Sequence, residues 1–147
     1  MAGTATITLE ASLTDSSTGE TYALSASQSL PSMSVYDKRI YTADTTVRTI
    51  VTVNTAGSTG NYIFTSIRGF IIVNRGSDLD GVMIGYSSTG ADTVYIKLLP
   101  GDFDVRWNTM LDANVTGAAY SAFVNINTIT LQSITAASQR VEMILFH

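Results

Sequence analysis

The residues of this sequence that could do chemistry are two pairs of aspartates, one histidine and a set of tyrosines. Asp102 and Asp104 flank Phe103; on a strand, carboxylates at i and i+2 share a face about 6–7 Å apart, within the range that separates the paired carboxyls of glycosidases. Glycosidase carboxylates normally come from different strands facing across a cleft, so the expectation here is a solvated strand edge following a turn. Asp78 and Asp80, in Ser77-Asp-Leu-Asp-Gly81, begin like a calcium loop with hard oxygen ligands at alternate positions. The amide or acidic ligand due at the fifth position and the glutamate due at the twelfth are missing, and the segment reads as a turn. His147 is the sole histidine, at the end of the chain, and there is no cysteine. A Ser-His-Asp or Cys-His nucleophile therefore lacks its parts. Gly57 and Gly60 have no following helix to make a phosphate loop. The expectation is a protein that is not an enzyme, with no cofactor and no metal.

The aromatic residues remain. Tyr36 and Tyr41 bracket Lys38 and Arg39, the sole aromatic-basic cluster, and Trp107 follows Arg106. Each could be core; outside the core they would form a protein-contact hot spot or a platform on which sugar rings stack.

Composition narrows the partners. The formal charge is −4 with eight basic residues, adjacent to one another only at Lys38-Arg39. No basic stripe exists to neutralise a run of phosphates, so nucleic acid is not expected. The longest purely apolar runs, Phe70–Val73 and Met143–Phe146, are far too short to span a bilayer, and the first residues lack the basic and apolar regions of a signal peptide. No membrane partner is expected. Charged residues make up 14% of the chain, against about 25% in an average soluble domain, and mean hydropathy is +0.21. Serine and threonine fill the gap, which suits strands whose outer face meets other protein.

The elements that position these residues are strands. No stretch sustains a 3.6-residue period between caps, whereas short β-branched and aromatic runs alternate with Gly, Asp, Asn and Ser clusters. Strands are expected near 4–14, 21–29, 34–42, 46–54, 62–74, 81–86, 93–98, 103–108, 119–133 and 140–146. About ten short strands imply two sheets or a closed barrel, and the expected fold is all-β: one antiparallel β-sandwich domain over 1–147, jelly-roll-like. Ile7, Leu9, Ala11 and Leu13 alternate with polar residues, so one face of the first strand is expected to be core. The cluster Asp15–Glu20 should turn the chain into a hairpin with Tyr22, Leu24 and Ala26. Asn54–Asn61 reads as an exposed loop, Gly69 as a bulge or bend, and Phe70–Val73 as the most buried strand.

Three segments carry a resemblance: Ile71-Ile-Val-Asn-Arg-Gly76, Val82-Met-Ile-Gly-Tyr86 and Tyr95-Ile-Lys-Leu-Leu-Pro-Gly-Asp-Phe103. An apolar strand ending in Asn and a turn, a short strand, then a Leu-x-Pro-Gly-Asp turn is a pattern that resembles small tailed-bacteriophage virion proteins. It extends over residues 65–108, about a third of the chain. The resemblance implies a non-catalytic head decoration or cement protein, a head fibre or knob, or a tail accessory subunit. It also implies assembly in the host cytoplasm, a place in the virion, and the major capsid protein or another virion protein as partner. No heptad or collagen repeat is present, which favours a compact decoration domain over a shaft. A carbohydrate- or receptor-binding module using Tyr36, Tyr41 or Trp107 is the alternative.

With only two prolines and two lysines, the chain does little to blunt its strand edges. Self-association into a closed oligomer, a trimer first and a dimer second, is therefore expected. Val141–Phe146 is the expected contact element because Met143 and Leu145 on one face, and Ile144 and Phe146 on the other, are all apolar. A central strand within one subunit explains the same pattern equally well.

Overall fold

A computed structural model of the chain describes residues 3–33, 36–52, 69–88, 93–106, 110–112, 123–135 and 137–146. They form twelve strands: β1 (Gly3–Thr14), β2 (Thr21–Met33), β3 (Tyr36–Ala43), β4 (Arg48–Thr52), β5 (Gly69–Asn74), β6 (Val82–Ser87), β7 (Val94–Leu98), β8 (Phe103–Arg106), β9 (Met110–Asp112), β10 (Phe123–Asn125), β11 (Thr128–Ser133) and β12 (Gln139–Phe146). Every pairing is antiparallel, and the described residues contain no helix. The all-β expectation is met. Where the sequence suggests one domain over 1–147, the chain divides into two compact units, 1–35 and 36–147.

The first unit is the expected hairpin. β1 and β2 pair from Ala5↔Leu30 to Thr14↔Thr21 in continuous register. The turn is closed by Asp15, whose carboxylate accepts from the amide and hydroxyl of Ser17 while its backbone N–H donates to the Glu20 carbonyl. Gly19 sits at φ +75, a conformation that an L side chain resists. At the other end the register slips between Gly3 and Ala5, opposite Pro31, which has no N–H to offer the ladder. The expectation of a buried face is corrected here. Leu9, Leu13, Tyr22 and Leu24 share one face as predicted, yet all four are exposed, and among the described residues β1 and β2 form a two-stranded sheet of their own.

The second unit holds two four-stranded sheets, in the orders β3-β12-β5-β8 and β4-β11-β6-β7, and a short β9-β10 ladder. Alternation along each strand sends one set of side chains into a common core. Phe70, Ile72, Val141, Met143 and Leu145 enter it from the first sheet, and Val51, Ile84, Tyr86, Ile129 and Leu131 from the second. Phe70 and Tyr86 meet between the sheets with ring centroids 5.3 Å apart. Such a stack contributes about 0.5–1.5 kcal/mol beyond its buried area. Phe70–Val73 is split, with Phe70 and Ile72 fully buried and Ile71 and Val73 half-buried. Gly69 opens β5 in unshifted register with Phe146, so no bulge marks it. The expected strand 119–133 is two strands within its described part, β10 and β11, interrupted at Ile126 and Asn127. The loop 54–61 and the first half of the expected strand 62–74 lie outside the described residues.

The segments that carried the resemblance interlock. Asn74, fully buried at the end of β5, donates from Nδ2 to the Leu98 carbonyl at 2.9 Å and accepts from the Gly76 amide at 2.8 Å. Its backbone N–H donates to the Asp102 carbonyl, and its own carbonyl accepts from Gly101, held at φ +85. The Asp102 carboxylate in turn accepts from the Leu99 amide. The Asn after the apolar strand and the Pro-Gly-Asp turn are thus two halves of one hydrogen-bonded corner. Asn74→Ala leaves a buried carbonyl and an amide without partners and should cost about 1–3 kcal/mol. The check is the urea midpoint; an unchanged midpoint would show that the corner contributes nothing.

Candidate functional site

The outward faces of the two sheets in the second unit differ in chemistry. On the β4-β11-β6-β7 sheet the outward positions are Thr128, Thr130 and Gln132 of β11, Met83, Gly85 and Ser87 of β6, and Tyr95 and Lys97 of β7. Polar groups dominate. A Cβ on Gly85 would lie 2.9 Å from the Tyr95 ring and 2.4 Å from Thr130 Oγ1, so glycine is what lets Tyr95 lie across this strand.

On the β3-β12-β5-β8 sheet the outward positions include two adjacent rungs, flanked on β12 by buried Phe146 on one side and by exposed Arg140 on the other. One runs Lys38, Ile144, Ile71, Val105; the next runs Ile40, Glu142, Val73, Phe103. Ile144, Ile71, Val105, Val73 and Phe103 adjoin on three neighbouring strands, with Phe103 54% exposed and the others half-buried. Ile40, 55% exposed, stands across Glu142. The one carboxylate in this field is neutralised on the spot, because Glu142 binds both Lys38 and Arg75. Those two cations hold the Glu142 carboxyl below its ordinary value, Lys38 contributing most, against a smaller opposing effect of burial. The face is therefore apolar and internally charge-balanced, the composition that protein-contact patches share.

The sequence candidates fall around this face. Lys38 lies on it, spent on Glu142. Arg39 and Tyr41 sit on the inward side of β3, the edge strand. Arg39 donates to Asp37 at 3.3 Å, and the Tyr41 hydroxyl donates to the Ile50 carbonyl at 3.2 Å while its ring packs against the core. Met143 and Leu145 are fully buried between β3 and β5, so as contact residues they are corrected: β12 is a central strand of its sheet, and they are its core face. Tyr36 begins β3 opposite Phe146, but its side chain, like Trp107 and His147, lies outside the described residues.

The aspartates hold the scaffold. Asp104 points inward, where it accepts from the Tyr86 hydroxyl at 2.7 Å and from Arg106 at 2.8 Å, while Asp102 serves the turn. Burial first, then the Asp104 carboxylate, pushes the Tyr86 hydroxyl far above its ordinary value, so it stays a donor. Asp78 accepts from the Asp80 amide and the Thr135 hydroxyl, which lower its pKa, the hydroxyl contributing most. The residues that sequence reading missed are Ile40, Ile71, Val73, Phe103 and Val105, while Ile144 belongs to the strand it singled out. Their signal was present: Phe70–Val73 and Met143–Phe146 are apolar at both parities, which on a strand means cover on both sides.

Compared with family models, curated proteins and solved structures, the chain matches none.

Glu142 also predicts a pH dependence. Its folded carboxyl ionises more readily than the unfolded one, so the stabilisation is complete above the ordinary value of 4.5 and disappears as pH falls through the lowered folded value. Acid unfolding of Glu142→Gln should lose this component of the pH slope while keeping the slopes of the other carboxylates. An identical slope in both proteins would show that the cluster is unformed in solution.

Proposed function

We propose that the chain is a non-catalytic structural protein of a tailed-bacteriophage particle, most closely a decoration or cement protein that docks on the head surface through the outward face of the β3-β12-β5-β8 sheet. The observation that carries the reading is that face: five adjoining apolar side chains beside a neutralised carboxylate, on a molecule whose opposite outward face is Ser/Thr-rich. Cement function asks for this. Many copies, each held by a modest apolar contact, secure a shell without turnover or cofactor. The partner is the major capsid protein or a neighbouring virion protein, and the site of assembly is the host cytoplasm.

The strand orders support a double-sheet jelly roll as the finer description. β3 pairs with β12, β4 with β11, β5 with β8 and β6 with β7, four antiparallel pairs nested one inside the next, as when one long hairpin is rolled up. The β9-β10 ladder is then an insertion between the sixth and seventh strands of the roll. Rolls of this type form viral capsid and lectin domains.

One observation favours a second reading. Tyr95, 59% exposed and lying across Gly85 among Thr130 and Lys97, is a flat ring on a polar sheet, the geometry of a sugar-stacking platform. It takes over the role the sequence reading gave to Tyr41, whose hydroxyl is engaged on Ile50.

Mass spectrometry of purified particles should find the chain, and binding of the protein to undecorated heads should fall about tenfold or more when Phe103→Asp and Val73→Asp are combined, as for loss of contact hot spots. The unfolding midpoint of that variant should stay near the parent's. Absence from particles, or binding indifferent to both substitutions, overturns the reading. A glycan-array signal abolished by Tyr95→Ala would favour the second.

A further inference from the structure

The hairpin of the first unit has a shape that calls for a specific occupant. Its apolar face presents Leu9 opposite Ala26, Ala11 opposite Leu24 and Leu13 opposite Tyr22, so two rungs pair a leucine with an alanine and the rung next to the turn pairs two large side chains. Leu13, Tyr22 and Leu24 are each about 60–70% exposed. The other face carries Thr6, Thr8, Glu10, Ser12, Ser25 and Ser27, with Ala23 opposite Ser12. The unit contains no lysine or arginine. Its three charges are Glu10 on the polar face and Asp15 and Glu20 at the turn, so none lies on the apolar strip. Among the described residues β1 and β2 pair only with each other, which leaves both long edges of the ribbon without a strand beside them. A two-stranded ribbon is at best marginally stable alone in water, yet this one runs through more than ten rungs.

We propose that this hairpin is a trimerisation arm: three copies of the chain bring their arms together around a threefold axis into a six-stranded antiparallel barrel with the apolar strips inside. This rests on the reading of the chain as an assembly protein and names the partner of a second surface. Three features select the occupant and the number.

The first is the edges. A rotation axis parallel to the arms sets β1 of each copy beside β2 of the next, antiparallel, and the ring closes with no edge left over. The second is width. Six strands spaced about 4.8 Å apart close a ring about 10 Å across, the separation that packed sheets keep; two arms would close about 6 Å, too narrow for side chains. Four arms would open an interior that the alanines cannot fill, whereas one large and one small residue per arm at the Leu9 and Ala11 rungs suits a narrow barrel. The third is cover. An arm about 40 Å long and 10 Å wide offers about 400 Å² on its apolar face, and ring closure covers that face and both edges of every arm, whereas a face-to-face pair covers the faces and leaves the edges open. Acidic turns at one end are the cost of this arrangement, and the Asp15 carboxylate is already occupied by Ser17.

Sedimentation of the full chain at micromolar concentration tests the proposal. The expected mass is three times the 15.7 kDa of one chain. Leu24→Asp combined with Leu13→Asp should give the single-chain mass while the near-ultraviolet circular dichroism of the second unit persists. The milder Leu24→Ala, which adds no charge, should weaken association about tenfold or more. Ser25→Asp, on the polar face, should leave the trimer intact. A single-chain, dimeric or tetrameric parent overturns the proposal, as does a trimer that survives Leu24→Asp with Leu13→Asp. A trimer that ignores undecorated heads leaves the arm proposal standing and removes the decoration reading; a monomer that binds heads does the reverse.

Discussion

Tyr86 is the pin that fixes the two sheets of the larger unit to each other. Its ring enters the core from β6 and stacks on Phe70 of β5, and the Arg106 guanidinium lies 4.7 Å from the ring centroid. A buried phenol must still place its hydroxyl, and here a carboxylate on β8 takes it. Phe70 and Arg106 are cross-strand neighbours, so one side chain from the second sheet is gripped by two adjacent strands of the first. Slip β8 by one residue against β5 and Asp104 turns outward, Tyr86 loses its acceptor, and Phe103 turns into the core. The outward apolar face exists only because that register is kept. Phe103 and Val105 point out for the same reason that Asp104 points in.

The polar corner at Asn74 works on the same principle from the other end of β5. A strand that is apolar on both parities has no intrinsic stop, and an amide that satisfies the Leu98 carbonyl and the Gly76 amide supplies one. Buried polar groups of this kind set position more than they add stability, because any shift leaves them unpaired. Between the corner and the Tyr86 pin, β5 is held at both ends, and the apolar strip on its outward side is presented on a rigid element rather than on a loop.

Much of the fold was legible in the residues, and the parts that were not share a cause. Period-two alternation located nearly every strand, and Asp15–Glu20 marked a hairpin that forms. The Leu9–Leu13 face was legible as apolar but not as exposed, since alternation reports what a face prefers and not whether a second layer arrives to cover it. On β12 alternation left the facing open: both faces are apolar, and the structure makes it a central strand with Met143 and Leu145 toward the core and Ile144 outward. Parity is invisible to composition and is decided only by which neighbours pair. Phe103 was hidden by the attention that its flanking aspartates attract, and Tyr95 by the absence of any sequence mark that Gly85 lies beneath it.

The nesting of the strand pairs has a consequence for synthesis. β6 and β7 can meet as soon as both have been made, but β3, which is made first in this unit, has no partner in its sheet except β12, which is made last. Until Gln139–Phe146 leaves the ribosome, the edge strand waits with its whole ladder unpaired, the state in which strands stick to one another. β3 also carries Asp37, Lys38 and Arg39 in succession, the densest run of charge in the chain. Lys38 finds its partner only when Glu142 arrives, so until then β3 keeps its run of charge unneutralised at that position, and charge on an unpaired strand opposes premature pairing.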